Sequence, residues 1–526
     1  MASIGLIRCI LSLVGIALFL ATVGCLDNSR SQSSSKPSPA RHGELPSETI
    51  QRIERFCADC HAMPIPETFP KSRWPEEVRQ GFDFYIESGR TDLQEPIRQD
   101  VVKYFQDAAP ERVVVPRADQ MPSEVSPVHF QPAPDFRLSG NHNEQPGAAP
   151  AIAQLIWNAG ERAVYFSDMQ EGTFRKWQPL PMSSEGHLSP NDTVLATGRH
   201  FCKATVCDWD EDGTNDFLIG EMGTFQVADH QLGGVTLLRG LPDGNFESHV
   251  LADNLARVVQ ATPFDYDEDG DLDVLVAEFG WRKTGALKLL RNSGALGSTT
   301  SLSVETLDPR HGILGVEVAD MNQDGKLDIV ACYGQEFETV EIYFNQGRGK
   351  YTPTIVHRLE DPSYNASSFQ VVDVDGDGRL DIVHTCGDTM DALIAKPYHG
   401  LRWIQNRPDG QWQNRELGLL VGALHSVTAD FDGDGDLDIV AVGLFPDAHL
   451  AGKGAYDSVC WWEQRENLQF VRHSIQRDTC SHAACAAADI NGDGRLDLIV
   501  GQWLAADQTA IRVFFNQPAN MPSSGQ

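Results

Sequence analysis

Asp265-Tyr266-Asp267-Glu268-Asp269-Gly270-Asp271-Leu272-Asp273, followed at once by the apolar run Val274-Leu275-Val276-Ala277, is the stretch on which the fold turns. The same pattern, D-x-[DN]-x-D-G-x-x-D, begins again at Asp208, Asp320, Asp373, Asp430 and Asp489, so that six copies start 57, 55, 53, 57 and 59 residues apart. Self-similarity at such a period specifies a repeat architecture ahead of any other fold. Alternate residues of a tight loop turn oxygens toward one hard cation, and the sixth position must turn sharply, which suits glycine. Gly213, Gly270, Gly325, Gly378, Gly435 and Gly494 stand there. The candidate metal ligands are Asp208, Asp210, Asp212 and Asp216; Asp265, Asp267, Asp269 and Asp273; and Asp320, Asn322, Asp324 and Asp328. The remaining three loops supply Asp373, Asp375, Asp377 and Asp381; Asp430, Asp432, Asp434 and Asp438; and Asp489, Asn491, Asp493 and Asp497. The six windows hold 26 acidic residues, whose mutual repulsion divalent cations would relieve. Calcium is the expected ion, and solvated acidic turns that bind nothing are the alternative.

An EF-hand would need a bidentate Glu at position twelve and flanking helices, whereas these flanks are β-rich. Each loop leads into a strand such as Leu272 to Ala277, Leu327 to Ala331, Leu380 to His384 or Leu437 to Val442; two more apolar segments follow, and then a further strand that leads into the next loop. Four strands per repeat make a propeller blade. Residues 151–199 supply a further blade without the motif, and the last repeat lacks an outer strand that a segment from Ser126 to Leu138 would provide. The expectation is a mainly β chain built on a seven-bladed propeller. The repeats resemble the FG-GAP/VCBS family, known from integrin α-subunit propellers.

Ahead of the repeats, Cys57-Ala58-Asp59-Cys60-His61 has the c-type haem attachment pattern, with two thiols for thioether bonds and an adjacent imidazole as proximal iron ligand. Half of a zinc site is the alternative, but no second CxxC lies nearby. A helix from Glu48 to Phe56 capped by Ser47, a second from Pro75 to Ser88 and a third from Pro96 to Ala108 would enclose one porphyrin. The segment from Phe56 to Trp74 resembles the small cytochrome c domains found ahead of FG-GAP/VCBS-type propellers. It departs from them in having neither Met nor His between Trp74 and Glu95, which leaves the sixth iron ligand undecided between Met121 on a returning loop and an open or otherwise ligated iron; Met63 lies too close to His61.

Arg8, the apolar run from Cys9 to Ala21 and Thr22-Val23-Gly24-Cys25 read as an export signal with a lipobox, lipidated at Cys25. The expected organisation is a signal peptide at 1–24, a flexible tether at 25–46, a cytochrome c-like haem domain at 47–112, a linker with the closing outer strand at 113–148, the propeller at 149–518 and a disordered tail at 519–526. Such a chain is a lipoprotein facing the periplasm or the cell surface, held to the membrane through its lipid anchor. A net charge of -32, from 74 acidic and 42 basic residues, argues against nucleic acid as a partner. Outside the cytoplasm some thiols can pair, with Cys202 to Cys207 and two among Cys460, Cys480 and Cys485 as candidates.

If the acidic loop joins the innermost strand of a blade to the second, the face opposite the loops gathers His200, His311, His425 and His482 with Glu278, Cys332, His384, Cys386, Trp503, Trp281 and Arg282. Such a mouth could hold a small molecule, a glycan or a second metal, although for any one of these residues taken singly a structural role is the stronger reading. No nucleophile elbow, zinc-protease helix or phosphate loop is present, and no catalytic residue is assigned. The leading expectation is electron transfer to a redox partner protein, with haem c and calcium as cofactors. The alternatives are a periplasmic oxidoreductase whose propeller face binds substrate, and a binding or adhesion module with an accessory haem.

Overall fold

The ninth residue of every acidic loop opens a six-residue strand that is buried along its whole length: Asp216–Glu221, Asp273–Glu278, Asp328–Tyr333, Asp381–Cys386, Asp438–Gly443 and Asp497–Gln502. Near-continuous apolar runs suit these strands because both of their faces meet a neighbouring sheet. The computed structural model describes residues 45–519 apart from 123, 134–135, 137–147, 180–187, 189–190, 294–298, 300–301, 391–392, 447–450, 453 and 478–479. Its strands form seven four-stranded antiparallel sheets. Blades 1 to 6 span residues 152–197, 201–255, 258–308, 313–358, 366–419 and 423–476. Blade 7 comprises His482–Ala488, Asp497–Gln502 and Ile511–Pro518, with Val128–Pro132 added antiparallel to the last of these. An N-terminal strand thus closes the ring, with a further bridge from Phe136 to Ile511. Residues 134–135 and 137–138 of the expected closing segment, and the expected signal, most of the tether and nearly all of the tail, lie outside the described residues.

The first strand of each blade lines the axis, and in all seven the ladder slips near its second residue, for example between Ile152 and Gln154, Val258 and Gln260, or Ala423 and His425. A bulge re-aims the residue that follows it. Gln154 accepts a hydrogen bond from the Ala204 amide (2.5 Å), Gln260 donates to the Val316 carbonyl (3.0 Å), and His425 accepts from the Cys485 amide (3.4 Å). These clasps tie blade 1 to 2, 3 to 4 and 6 to 7. Between blades the core is apolar: Trp461 packs toward blade 7, whereas Trp462, pointing the opposite way, packs against Trp403 of blade 5.

One carboxylate recurs at every loop. The ninth-position aspartate turns back, so that one oxygen accepts from the amide of the loop's second residue and the other from the amide at the far end of the third strand. Asp328 accepts from Met321 (3.0 Å) and Asn345 (2.8 Å); Asp438 accepts from Phe431 (3.0 Å) and Gln464 (2.8 Å). The same pair of bonds forms at Asp216, Asp273, Asp381 and Asp497.

Three helices precede the ring: α1 (Ser47–Cys57), α2 (Trp74–Glu87) and α3 (Arg98–Ala108). Their core is Ile53, Phe69, Trp74, Val78, Phe82, Val101, Tyr104 and Phe105, with Trp74 stacked on Phe105 at 4.0 Å. Two starts differ from expectation. Ser47 is already helical and caps nothing, since the Pro46 carbonyl receives the first bond from Ile50. Pro96 lies outside α3 because Ile97 stays extended and its carbonyl accepts from Asp100.

The expected disulfides are absent. Cys202 and Cys207 lie near the two ends of the extended strand Phe201–Cys207, so their Cα atoms stand about 16 Å apart, beyond the roughly 7 Å a disulfide spans. Cys460, Cys480 and Cys485 are not cross-linked either. Replacing Asp328, which is 0% exposed, by alanine strands two buried amides and should cost about 2–5 kcal/mol in chemical denaturation. Asp328→Asn, which keeps an acceptor, should cost less.

Candidate functional site

The α1 helix ends at Cys57, and the turn that follows brings Cys60 and His61 onto the wall of one cavity of about 1080 Å³, counting its open mouth. Phe56, Phe82, Tyr85, Trp74 and Phe105 supply much of the remaining wall. The far side belongs to the propeller, where Asp361, Pro362, Ser363 and Asn365 from the connection between blades 4 and 5, with Lys396 of blade 5, complete the lining. The module is fastened there by polar contacts. The Ile65 amide donates to buried Asp361 (2.6 Å), the Tyr398 hydroxyl donates to the Thr68 carbonyl (3.2 Å), and Arg282 pairs with Glu87 (3.0 Å) while lying 4.2 Å above the Phe84 ring.

Burial pushes the Cys57 thiol up to about 12, with Cys60 adding to the effect. Cys60 is also raised to about 12 by burial, against the pull of Arg90, whose guanidinium donates to its sulfur at 3.3 Å. Burial drops His61 to about 3, and its Nδ1 lies 2.5 Å from the Ala62 carbonyl. Two thiols and a neutral imidazole on an aromatic wall are a donor set that fits a thioether-bound porphyrin. Among the described residues the lining holds no methionine and no histidine besides His61. Met121 does not return to it, because its segment is tied to blade 6 through the Ala118 amide donating to the Ala455 carbonyl (2.8 Å). Met63 packs into the helical core.

The acidic loops lie on the opposite face of the ring. In four of them three carboxylate oxygens approach within 4.8 Å of one another: Asp208, Asp210 and Asp216; Asp265, Asp267 and Asp269; Asp373, Asp375 and Asp381; Asp430, Asp432 and Asp438. Clusters of this kind can hold a metal ion. In the loops at Asp320 and Asp489 the third position is Asn322 or Asn491, whose Nδ2 donates to Asp324 (3.4 Å) or Asp493 (3.2 Å). Gly270 and Gly435 take φ of 95° and 98°, in open space, so their role is conformational.

At the mouth facing the helical module, the residues singled out from sequence part company. Trp281 and Trp503 line a second cavity of about 1170 Å³, which shares Asn365 with the first. His425 and His482 are instead structural: one clasps blade 7, and the other lies between Gln502 (2.7 Å) and Gln476 (3.0 Å). His311 meets buried Glu336 at 3.2 Å, and His200 Nδ1 lies 2.8 Å from the Met169 carbonyl. His384 and Cys332, 3.8 Å apart, are enclosed between blades 4 and 5 with Cys386. Glu278 is buried against Lys288 at 3.1 Å. Arg257, Gln335 and Asn365 were not foreseen, since they sit in connections that carry no periodicity.

Residues 265–331, 320–384 and 388–441 match the FG-GAP-like repeat family. No curated protein matches the sequence. Among solved structures, the chain is similar to an Agrocybe aegerita lectin that recognises non-reducing terminal N-acetylglucosamine, at 15% identity over 69% of this chain and 94% of that one, with a TM-score of 0.42. It is also similar to the Dos1 propeller (11% identity, 73% of this chain and 81% of that one, TM-score 0.42) and to a putative gluconolactonase (12%, 77% and 97%, TM-score 0.35).

Burial raises the ninth-position carboxyls, to about 6 for Asp273, Asp381 and Asp497 and about 7 for Asp438. The folded, ion-free chain therefore binds more protons than the unfolded one between about pH 4 and 7, and these groups make stability fall as pH rises through that window. In chelator, Tm should drop from pH 5 to pH 8. The drop should be smaller in Asp438→Asn, which cannot ionise.

Proposed function

We propose that this chain is an exported oxidoreductase-type propeller that binds a small molecule or glycan at its ring mouth and carries one covalently attached c-type haem beside it. The observation that carries the reading is the shared wall: the cavity of Cys57, Cys60 and His61 is closed by propeller residues and meets the ring-mouth cavity at Asn365. When bound, the haem supplies one-electron relay between the site and a redox partner protein. The chain's own part is positioning. Cys57 and Cys60 supply the thioether sulfurs, His61 the proximal nitrogen, and Asp361 and Arg282 hold the module against the ring. Ligand binding by the propeller is preferred to a bare electron carrier because the second cavity has a built, partly polar wall. Calcium in the acidic loops would neutralise their charge and stiffen the ring. A lipid on Cys25 would hold the protein to a membrane facing the periplasm or the cell surface.

Protein matured in a haem-attaching host should give a covalent porphyrin spectrum that the Cys57→Ala, Cys60→Ala double variant lacks. Carbon monoxide should shift its reduced Soret band, because no Met or second His among the described residues lines the cavity. Absence of porphyrin from the matured wild type would end the haem reading. Separately, calcium added to chelated protein at pH 8 should raise Tm, each site contributing about 2.7 kcal/mol at a hundredfold excess over its Kd. An unchanged melt would remove calcium from the account.

A further inference from the structure

The ring-mouth cavity contains a cation with no ion-pair partner among the described residues. Arg257, in the connection between blades 2 and 3, is 4% exposed, and its guanidinium makes no hydrogen bond or ion pair with any described residue. Its aromatic neighbour is Phe279, at 5.8 Å. Burial lowers it to about 10. A buried, unpaired guanidinium is costly, and a ligand anion would remove that cost.

Two further polar groups face the same space unsatisfied. Neither amide atom of Gln335, which is 9% exposed, has a partner. Asn365 spends its Nδ2 on the Asp388 carbonyl (2.6 Å) and leaves Oδ1 unpaired. Between them these side chains offer one cation, one neutral donor and two acceptors. Glu338 and Asp388 also line the cavity, but each carboxyl is engaged by a backbone amide, from Ala366 (2.7 Å) and Met390 (2.8 Å) respectively. Much of the remaining wall is aromatic: Phe225 stacks on Trp503 at 5.8 Å, with Trp281 and Phe279 alongside. Aromatic faces take the apolar faces of a sugar ring, while amides read its hydroxyls.

We propose that this cavity binds a sugar acid, a polyhydroxylated body with one carboxylate, seated with the carboxylate on Arg257 and its hydroxyls on Gln335 and Asn365. The inference rests on the ligand-binding half of the function proposed above and names the ligand class.

Tryptophan fluorescence and calorimetry on the full chain, titrated with D-glucuronate, D-galacturonate and D-glucose, test it. Either acid should bind and perturb the fluorescence, and glucose should bind at least about tenfold more weakly, as expected for losing a charge-assisted hydrogen bond. Arg257→Gln should weaken acid binding about tenfold or more. Gln335→Glu, which sets an unpaired anion where the ligand's hydroxyls would sit, should abolish acid binding whether or not the arginine variant folds, with circular dichroism reporting integrity. Equal binding of glucose and the acids, unchanged affinity in either folded variant, or no response to either acid would overturn the assignment. The visible spectrum of the same samples reports the haem independently, so acid binding without porphyrin would sink the haem reading alone, and porphyrin without acid binding would sink this one.

Discussion

Two backbone amides donating to one buried carboxylate hold each blade's corner together. In the six loops the ninth residue begins the second strand with its backbone and, with its side chain, seizes the start of its own loop and the end of the third strand. This is an expensive arrangement: a carboxylate with no solvent exposure is tolerated only because both oxygens are satisfied. Its return is geometric. With the loop pinned to the corner, the first and third aspartates are gathered above it, and the acidic clusters are a product of how the corner is built. The structural bonds and the clusters that could hold an ion draw on the same residues.

The ring divides its labour between two faces. On one, acidic loops present clustered charge. On the other, the connections between blades rise to form two adjoining cavities, one shared with the helical module and one at the axis. The module is not a free appendage, since Asp361 is buried against the Ile65 amide and Arg282 bridges to Glu87 and Phe84. The cysteine pair therefore faces the connections between blades at a fixed distance, a geometry that a flexible linker could not supply.

Much of this was legible in the sequence because it was periodic. The recurrent loops set the blade count, and the missing outer strand of the last repeat pointed to Val128–Pro132. The Cys57-x-x-Cys60-His61 turn announced itself by spacing. What escaped was aperiodic. Arg257, Gln335, Asn365 and Asp361 lie in connections where neither hydrophobic pattern nor motif singles them out, and their meeting depends on which blades the ring makes neighbours. Histidines misled in the other direction: His425 and His482 sit near inner-strand starts, as expected, but the bulge turns the first toward the next blade, and two glutamines enclose the second. Met121 on a returning loop was one of the readings left open for the sixth ligand, but the bond from the Ala118 amide to blade 6 holds its segment away.

Closure of the ring by Val128–Pro132 against Ile511–Pro518 imposes an order on assembly. A strand made early has to wait, edge exposed, until almost four hundred more residues have emerged, so the circle is sealed last and by the longest-range pairing in the molecule. The helices lie directly upstream of that strand, so the same event that locks the ring also draws them down onto its rim. A chain interrupted before its final strand would lose both the circle and the seat on which its first folded unit rests.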